Sequence, residues 1–255
     1  MTSPNKTTSW LFLRGLTRDS VHWYDFPQIF ETEFASTQLH LIDLPGVGKY
    51  SAEKTPLTIA ENMEFVRKKY LENNSEKLWI LSISMGSMVA LEWALQFPEE
   101  IAGVVSINTS IGGLSPIYQR ITVEGLTTVV KVAAEKDLIK REDRTLELIT
   151  NLRRPLRPIA IDFAKAAEQH PVAKSTAAKQ MIAAARYRIK SNPPKVPVLF
   201  LRSLGDRLVS SQCTLDLARY WHLQSKTHPT AGHDIPLDDA AWIIEQIREW
   251  LEGLG

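Results

Sequence analysis

Along the chain, short apolar runs alternate with longer stretches in which apolar residues recur every three or four positions. Runs of five to seven apolar residues suit strands buried on both faces, and the longer periodic stretches suit helices that cover them. The runs predict strands at Trp10–Arg14, Leu39–Leu44, Leu78–Ser82, Ala102–Asn108 and Val196–Arg202, and more weakly at Ser225–Ala231. Helical spacing predicts helices over Leu57–Glu72, Met85–Phe97 and Asp239–Leu251, the last with Trp242, Ile243, Ile247, Trp250 and Leu251 on one face. Strands that alternate with helices build a mostly parallel sheet, so the fold class is α/β with about six strands and helices on both faces.

The alternation breaks between about Ser110 and Lys190, where no strand is predicted. This stretch reads as an inserted helical cap over residues 110–190, set into a core formed by 1–109 and 191–255. Inside it, Arg153-Arg154-Pro155-Leu156-Arg157-Pro158 should end one helix before another resumes at Ile159–His170, because proline removes a donor and disfavours helix in the residue before it.

Composition narrows the function. The chain has 255 residues, a formal net charge of +1 and one cysteine, Cys213. That excludes an intramolecular disulfide and gives no basic footprint for nucleic acid. The six histidines lack metal-ligand spacing, so no metal and no cofactor is expected. The polar start, Met1–Ser9, and the lack of a long apolar segment predict no secretory leader and no membrane span, with the cytoplasm as compartment. Charge is nevertheless uneven, with 15 Lys/Arg against 8 Asp/Glu in 110–190, a net of +7. This is read either as solvated helix faces or as a surface that draws an anionic substrate or an acidic carrier.

Three segments carry candidate chemistry. Leu78–Ser82 runs into Ile83-Ser84-Met85-Gly86 and then a helix, which places the Ser84 hydroxyl on a sharp strand-to-helix corner at a positive helix end. Val196–Arg202 leads into Ser203-Leu204-Gly205-Asp206, an acid just past a strand end. Its ordinary alternative is a turn aspartate that caps a helix near Ser210. Thr230-Ala231-Gly232-His233 places a histidine on a loop ahead of the last helix, 27 residues after Asp206.

Ser82-Ile83-Ser84-Met85-Gly86 resembles the Gly-x-Ser-x-Gly nucleophile elbow of the α/β-hydrolase family, with Ser82 in place of the first glycine. The order Ser84, Asp206, His233 is that of the family's nucleophile, acid and base. The segment Arg14-Gly15-Leu16 resembles its His-Gly-x oxyanion loop, with Arg14 for the histidine, and implies the backbone N–H groups of Leu16 and Met85 as oxyanion donors. Arg14 then either pairs with an internal carboxylate or faces the pocket to meet an anion. The resemblance covers Trp10 to Leu251. It implies a serine hydrolase, carboxylesterase-like, that cleaves a small to medium ester or thioester, anionic or carrier-linked, through an acyl-enzyme on Ser84. A non-hydrolytic acyltransferase or lyase, or a silent ligand-binding receptor, remains the alternative. Ile117, Tyr118, Ile121, Leu126, Val129 and Val130 are read either as pocket lining or as packing between cap and core.

Overall fold

The computed structural model describes residues 8–189 and 192–255. The polar start Met1–Thr7 and the expected boundary at 190–191 lie outside the described residues. The six strands are β1 (Thr8–Leu13), β2 (Thr37–Leu41), β3 (Leu78–Ile83), β4 (Ile101–Ile107), β5 (Val198–Ser203) and β6 (Ser225–His228). They form one sheet in the order β2-β1-β3-β4-β5-β6, with every pairing parallel. The four inner strands are nearly all buried, which is why they read as unbroken apolar runs. The edge strands β2 and β6 are half-exposed and polar in part, and their pattern is correspondingly weaker.

Side chains alternate across the pleat and build two cores. Leu11, Leu13, Ile80, Val104 and Phe200 face one side, under α2 (Ile59–Leu71), α3 (Met85–Gln96) and α9 (Gln212–Tyr220). Trp10, Phe12, Leu81, Val105 and Leu201 face the other, under α1 (Phe26–Glu33) and α11 (Ala240–Glu252), which the four-residue α10 (Ile235–Asp238) precedes. Helix α1 has no counterpart among the helices expected from spacing. Its inner face is aromatic: Phe30 packs edge-on against Trp10 and Phe12, with centroids 5.0 Å away in each case.

Between β4 and β5 the chain passes through α4 (Ile117–Arg120), α5 (Val123–Ala134), α6 (Leu138–Ile149), α7 (Arg157–Gln169) and α8 (Lys174–Arg186). Pro158 sits in the first turn of α7, where a missing N–H costs nothing. Helices α6 and α7 share a small core of Leu146, Ile159 and Phe163 that also takes in Leu237. Ile117, Tyr118, Leu126 and Val130 are exposed, so these four do not pack between the helices and the sheet. Among the described residues, no helix is long and apolar enough to cross a membrane.

The aromatic cluster is what docks α1 on the sheet, so Phe30→Ala is expected to cost about 3–5 kcal/mol. Denaturant unfolding of both proteins measures this, and a loss under about 1 kcal/mol would mean that other contacts hold α1.

Candidate active site

Ser84 links β3 to α3 with φ 57° and ψ −121°, a backbone that non-glycine residues adopt only under constraint. Its N–H donates to Ile107 O (2.9 Å), and its carbonyl accepts from Ser87 N (3.1 Å) and Thr109 Oγ1 (3.0 Å). Every other residue from Ile80 to Leu91 is buried, while Ser84 is partly exposed. Gly86 is needed because a Cβ there would stand 2.5 Å from the carbonyl oxygens of Leu13 and Arg14. Ser82, in the position of the family's first glycine, is fully buried and donates to Val105 O (3.0 Å). Ser82 Oγ also lies 3.2 Å from Ser87 Oγ, which donates to the Ser82 carbonyl (2.9 Å), so the extra hydroxyl has partners on both sides.

Asp206 turns its own loop and meets His233, but it does not cap the following helix α9, whose N-cap is Ser211. Oδ1 accepts from Leu208 N and Val209 N (2.9 Å each) and shapes its own loop, while Oδ2 lies 2.7 Å from His233 Nδ1. Both side chains are buried, at 1% and 7% exposure, so this contact is shielded from water. Two residues that the sequence did not single out fix these loops. Asn108, at the end of β4 with φ 44°, donates from Nδ2 to His233 O (2.8 Å) and accepts Ser203 N–H at Oδ1 (2.9 Å). Asn151 donates to both Gly205 O and Thr230 O (2.9 Å each). The only sequence signal for Asn108 is that asparagine tolerates a positive φ at a strand end.

The turn after β1 lies against Ser84: a Cβ on Gly15 would be 3.0 Å from Ser84 Cβ and 3.5 Å from Ser84 Oγ. Arg14 pairs with an internal carboxylate, donating to Asp234 Oδ1 (3.2 Å) and Oδ2 (2.5 Å), with its guanidinium 4.7 Å from the Trp23 ring centroid. Arg18 N donates to Gly15 O (3.3 Å), and Thr17 N to Gln180 Oε1 (2.8 Å). Among the described residues, no protein acceptor takes the N–H of Leu16, or that of Met85 at the start of α3. The turn that carries Gly15 thus packs against Ser84 at the start of α3, and Asp206 meets His233 directly. No hydrogen bond joins Ser84 Oγ to His233 among the described residues, and the contact with Asp206 at Nδ1 leaves Nε2 as the ring nitrogen that the carboxylate does not engage.

Beside this turn is a buried charged group. Arg18 Nη1 donates to Glu142 Oε2 on α6 (2.5 Å), and His22 Nδ1 lies 2.8 Å from Asp19 Oδ1. Burial alone would raise the Glu142 carboxyl, but the Arg18 and His22 charges and the Arg18 hydrogen bond hold it below its ordinary value. His22 is lowered by burial and by Arg18, despite Asp19. Cys213 is pushed up to about 11 by burial. Among the described residues, no group of three or more His, Cys, Asp or Glu side chains could hold a metal ion.

Because Glu142 is lowered in the folded state, its pairing adds stability above the ordinary glutamate value of 4.5, and that stability is lost as pH falls through the folded value. Glu142→Gln is therefore expected to unfold at lower temperature at pH 7, with the gap to wild type closing below about pH 4. Thermal melts across pH check this, and a gap independent of pH would refute it.

A family model for the alpha/beta hydrolase fold matches residues 11–240. The chain is 34% identical over 76 residues to the pimeloyl-[acyl-carrier protein] methyl ester esterase of Edwardsiella ictaluri (strain 93-146), covering 30% of this chain and 28% of that protein. It is 33% identical over 100 residues to the protein of that name from Hamiltonella defensa subsp. Acyrthosiphon pisum (strain 5AT), covering 39% and 36%. These matches span about a third of the curated relatives' length. A thermophilic esterase from Thermogutta terrifontis, solved with malate bound, superposes with a TM-score of 0.71 over 96% of this chain and 90% of its own, at 18% identity, a likeness of fold alone. With its parallel sheet and with the family model matched over most of its length, the chain belongs to the alpha/beta hydrolase fold family.

Proposed function

We propose that this protein is a serine hydrolase that cleaves a carboxylic ester or thioester through an acyl-enzyme on Ser84. The observation that carries the reading is a partly exposed serine at φ 57° on a helix N-terminus, packed against Gly15, in a chain whose His233 is held by buried Asp206. In this reading His233 Nε2 takes the Ser84 proton as Oγ bonds to the substrate carbonyl carbon, and Asp206 holds the tautomer and stabilises the imidazolium. The oxyanion is received by the N–H groups of Leu16 and Met85, each typically worth ~100 to 1000-fold in rate. The C–O or C–S bond then breaks, and His233 returns the proton to the leaving oxygen or sulfur. Water, deprotonated by the same histidine, attacks the acyl carbon and releases the acid and free Ser84.

Residues 110–190 act in this reading as a helical cap on a core of 1–109 and 191–255. Their net charge of +7, against −6 for the remainder, favours an anionic or carrier-linked substrate. The relatives are named for a methyl ester on an acyl-carrier protein, which points the same way. The acyl group is small to medium and apolar.

The test is intact mass after incubation with a fluorophosphonate, together with hydrolysis of p-nitrophenyl butyrate. Wild type is expected to take one adduct and Ser84→Ala none, while His233→Ala slows labelling by about 100 to 10,000-fold. A well-folded wild type that takes no adduct would favour a ligand-binding receptor. Labelling without hydrolysis would favour an acyltransferase or lyase.

A further inference from the structure

We propose that Gln180, on α8, is a positioning residue for the oxyanion turn, so that the β4–β5 helices help to complete the active site. This rests on the assignment of the Leu16 N–H as an oxyanion donor. Leu16 lies between two peptide units, and each is fixed. The Gly15 carbonyl, which shares its peptide plane with the Leu16 N–H, accepts from Arg18 N (3.3 Å), and in a trans peptide this turns the Leu16 N–H the opposite way. The next unit joins the Leu16 carbonyl to the Thr17 N–H. Its carbonyl accepts from Thr17 Oγ1 (2.7 Å), and its N–H donates to Gln180 Oε1 (2.8 Å).

Thr17 has φ 59°, a left-handed conformation that is unfavourable for a β-branched threonine and persists where contacts hold it. Gln180 is the side chain that supplies such a contact from outside the turn, and it is itself fully buried. Its Nε2 has no partner among the described residues, so the Thr17 N–H alone sets which way the amide faces. A buried amide with one half unsatisfied is costly as packing material, and a leucine or methionine would fill the same space without that cost. What the amide provides that they do not is an acceptor for Thr17. Helix α8 is anchored to the core a turn earlier by Thr176 Oγ1, which accepts from Thr55 (3.0 Å), and α6 reaches the same turn through Glu142 and Arg18.

The experiment compares Gln180→Met, which keeps the length and removes the acceptor, with Gln180→Glu, which keeps it. Rates on p-nitrophenyl butyrate are normalised to the sites that a fluorophosphonate titrates, and phenylboronic acid, which forms a tetrahedral adduct on serine, reports on the oxyanion hole. Gln180→Met is expected to lower kcat by about 10 to 100-fold with KM within about threefold, and to weaken phenylboronic acid by a similar factor. Gln180→Glu should keep kcat within about fivefold of wild type. A Gln180→Met kcat within about twofold of wild type, a change in KM alone, or equal losses in both variants would overturn the proposal. If circular dichroism shows Gln180→Met unfolded, Gln180→Asn, which withdraws the same carbonyl, takes its place in the comparison. Failure of the wild type to label would instead overturn the serine-hydrolase reading itself, so the two failures are distinct.

Discussion

The Arg14–Asp234 pair joins the end of the first strand to the residue after His233, 220 positions later in the chain. At 6% and 2% exposure, both charges have left water, and two fork-like hydrogen bonds with the Trp23 face beside the guanidinium compensate in part. Such a pair is weak evidence for stability, because well-packed apolar residues often do as well. What it fixes is geometry. The turn that carries Leu16 begins one residue beyond Arg14, and the histidine loop contains Asp234, so one contact sets the spacing of the two loops that flank the proposed site. Breaking it from one side would leave a buried carboxylate or guanidinium without its partner, typically at 3–5 kcal/mol.

The other constraint is backbone strain at strand ends. Thr17, Ser84 and Asn108 follow β1, β3 and β4, neighbouring strands of the sheet, and all three have positive φ. Each departure costs of order 1–3 kcal/mol and is held by a specific partner: Gln180 for Thr17, Ile107 and Thr109 for Ser84, His233 and Ser203 for Asn108. The partners come from different elements, so the corner is over-determined. Ligands of open parallel sheets gather at the carboxyl ends of strands, and three of the five non-glycine residues with positive φ among the described residues stand there, the other two being Tyr24 and His222.

The parts of this arrangement that were legible in the sequence are those with local signatures. The inner strands declare themselves because burial on both faces removes polar positions, whereas β6, on the edge, blurs into the loop before His233. The serine, the acid and the histidine stand at strand ends in a recognisable order. Helix α1 has no clear sequence signature because its apolar residues occupy an eight-residue span with a proline at its second position, too brief for a helical period to establish itself. Asn151 and Gln180 leave no trace in the sequence and Asn108 only its place at a strand end, because an amide is informative chiefly through partners far along the chain. Arg14 had two readings, and only the fold brings Asp234 to it. The apolar positions of α4 and α5 also had two readings. Packing against the core fails for Ile117, Tyr118, Leu126 and Val130 because nothing covers them.

Burial and hydrogen bonding separate Ser84, the proposed nucleophile, from the nucleophilic groups around it. Cys213 is fully buried, and burial pushes its thiol up to about 11, so the thiol form is favoured near neutral pH. Ser82 and Ser87 flank the corner, but both are wholly buried and their hydroxyls are committed to Val105 O and Ser82 O. Thr109 Oγ1 donates to the Ser84 carbonyl and so supports the corner rather than reacting from it. Of these groups, Ser84 is the one that combines partial exposure, a helix N-terminus and the approach of Gly15. The extra hydroxyl at Ser82, which departs from the family's glycine, binds the corner together instead of competing with it.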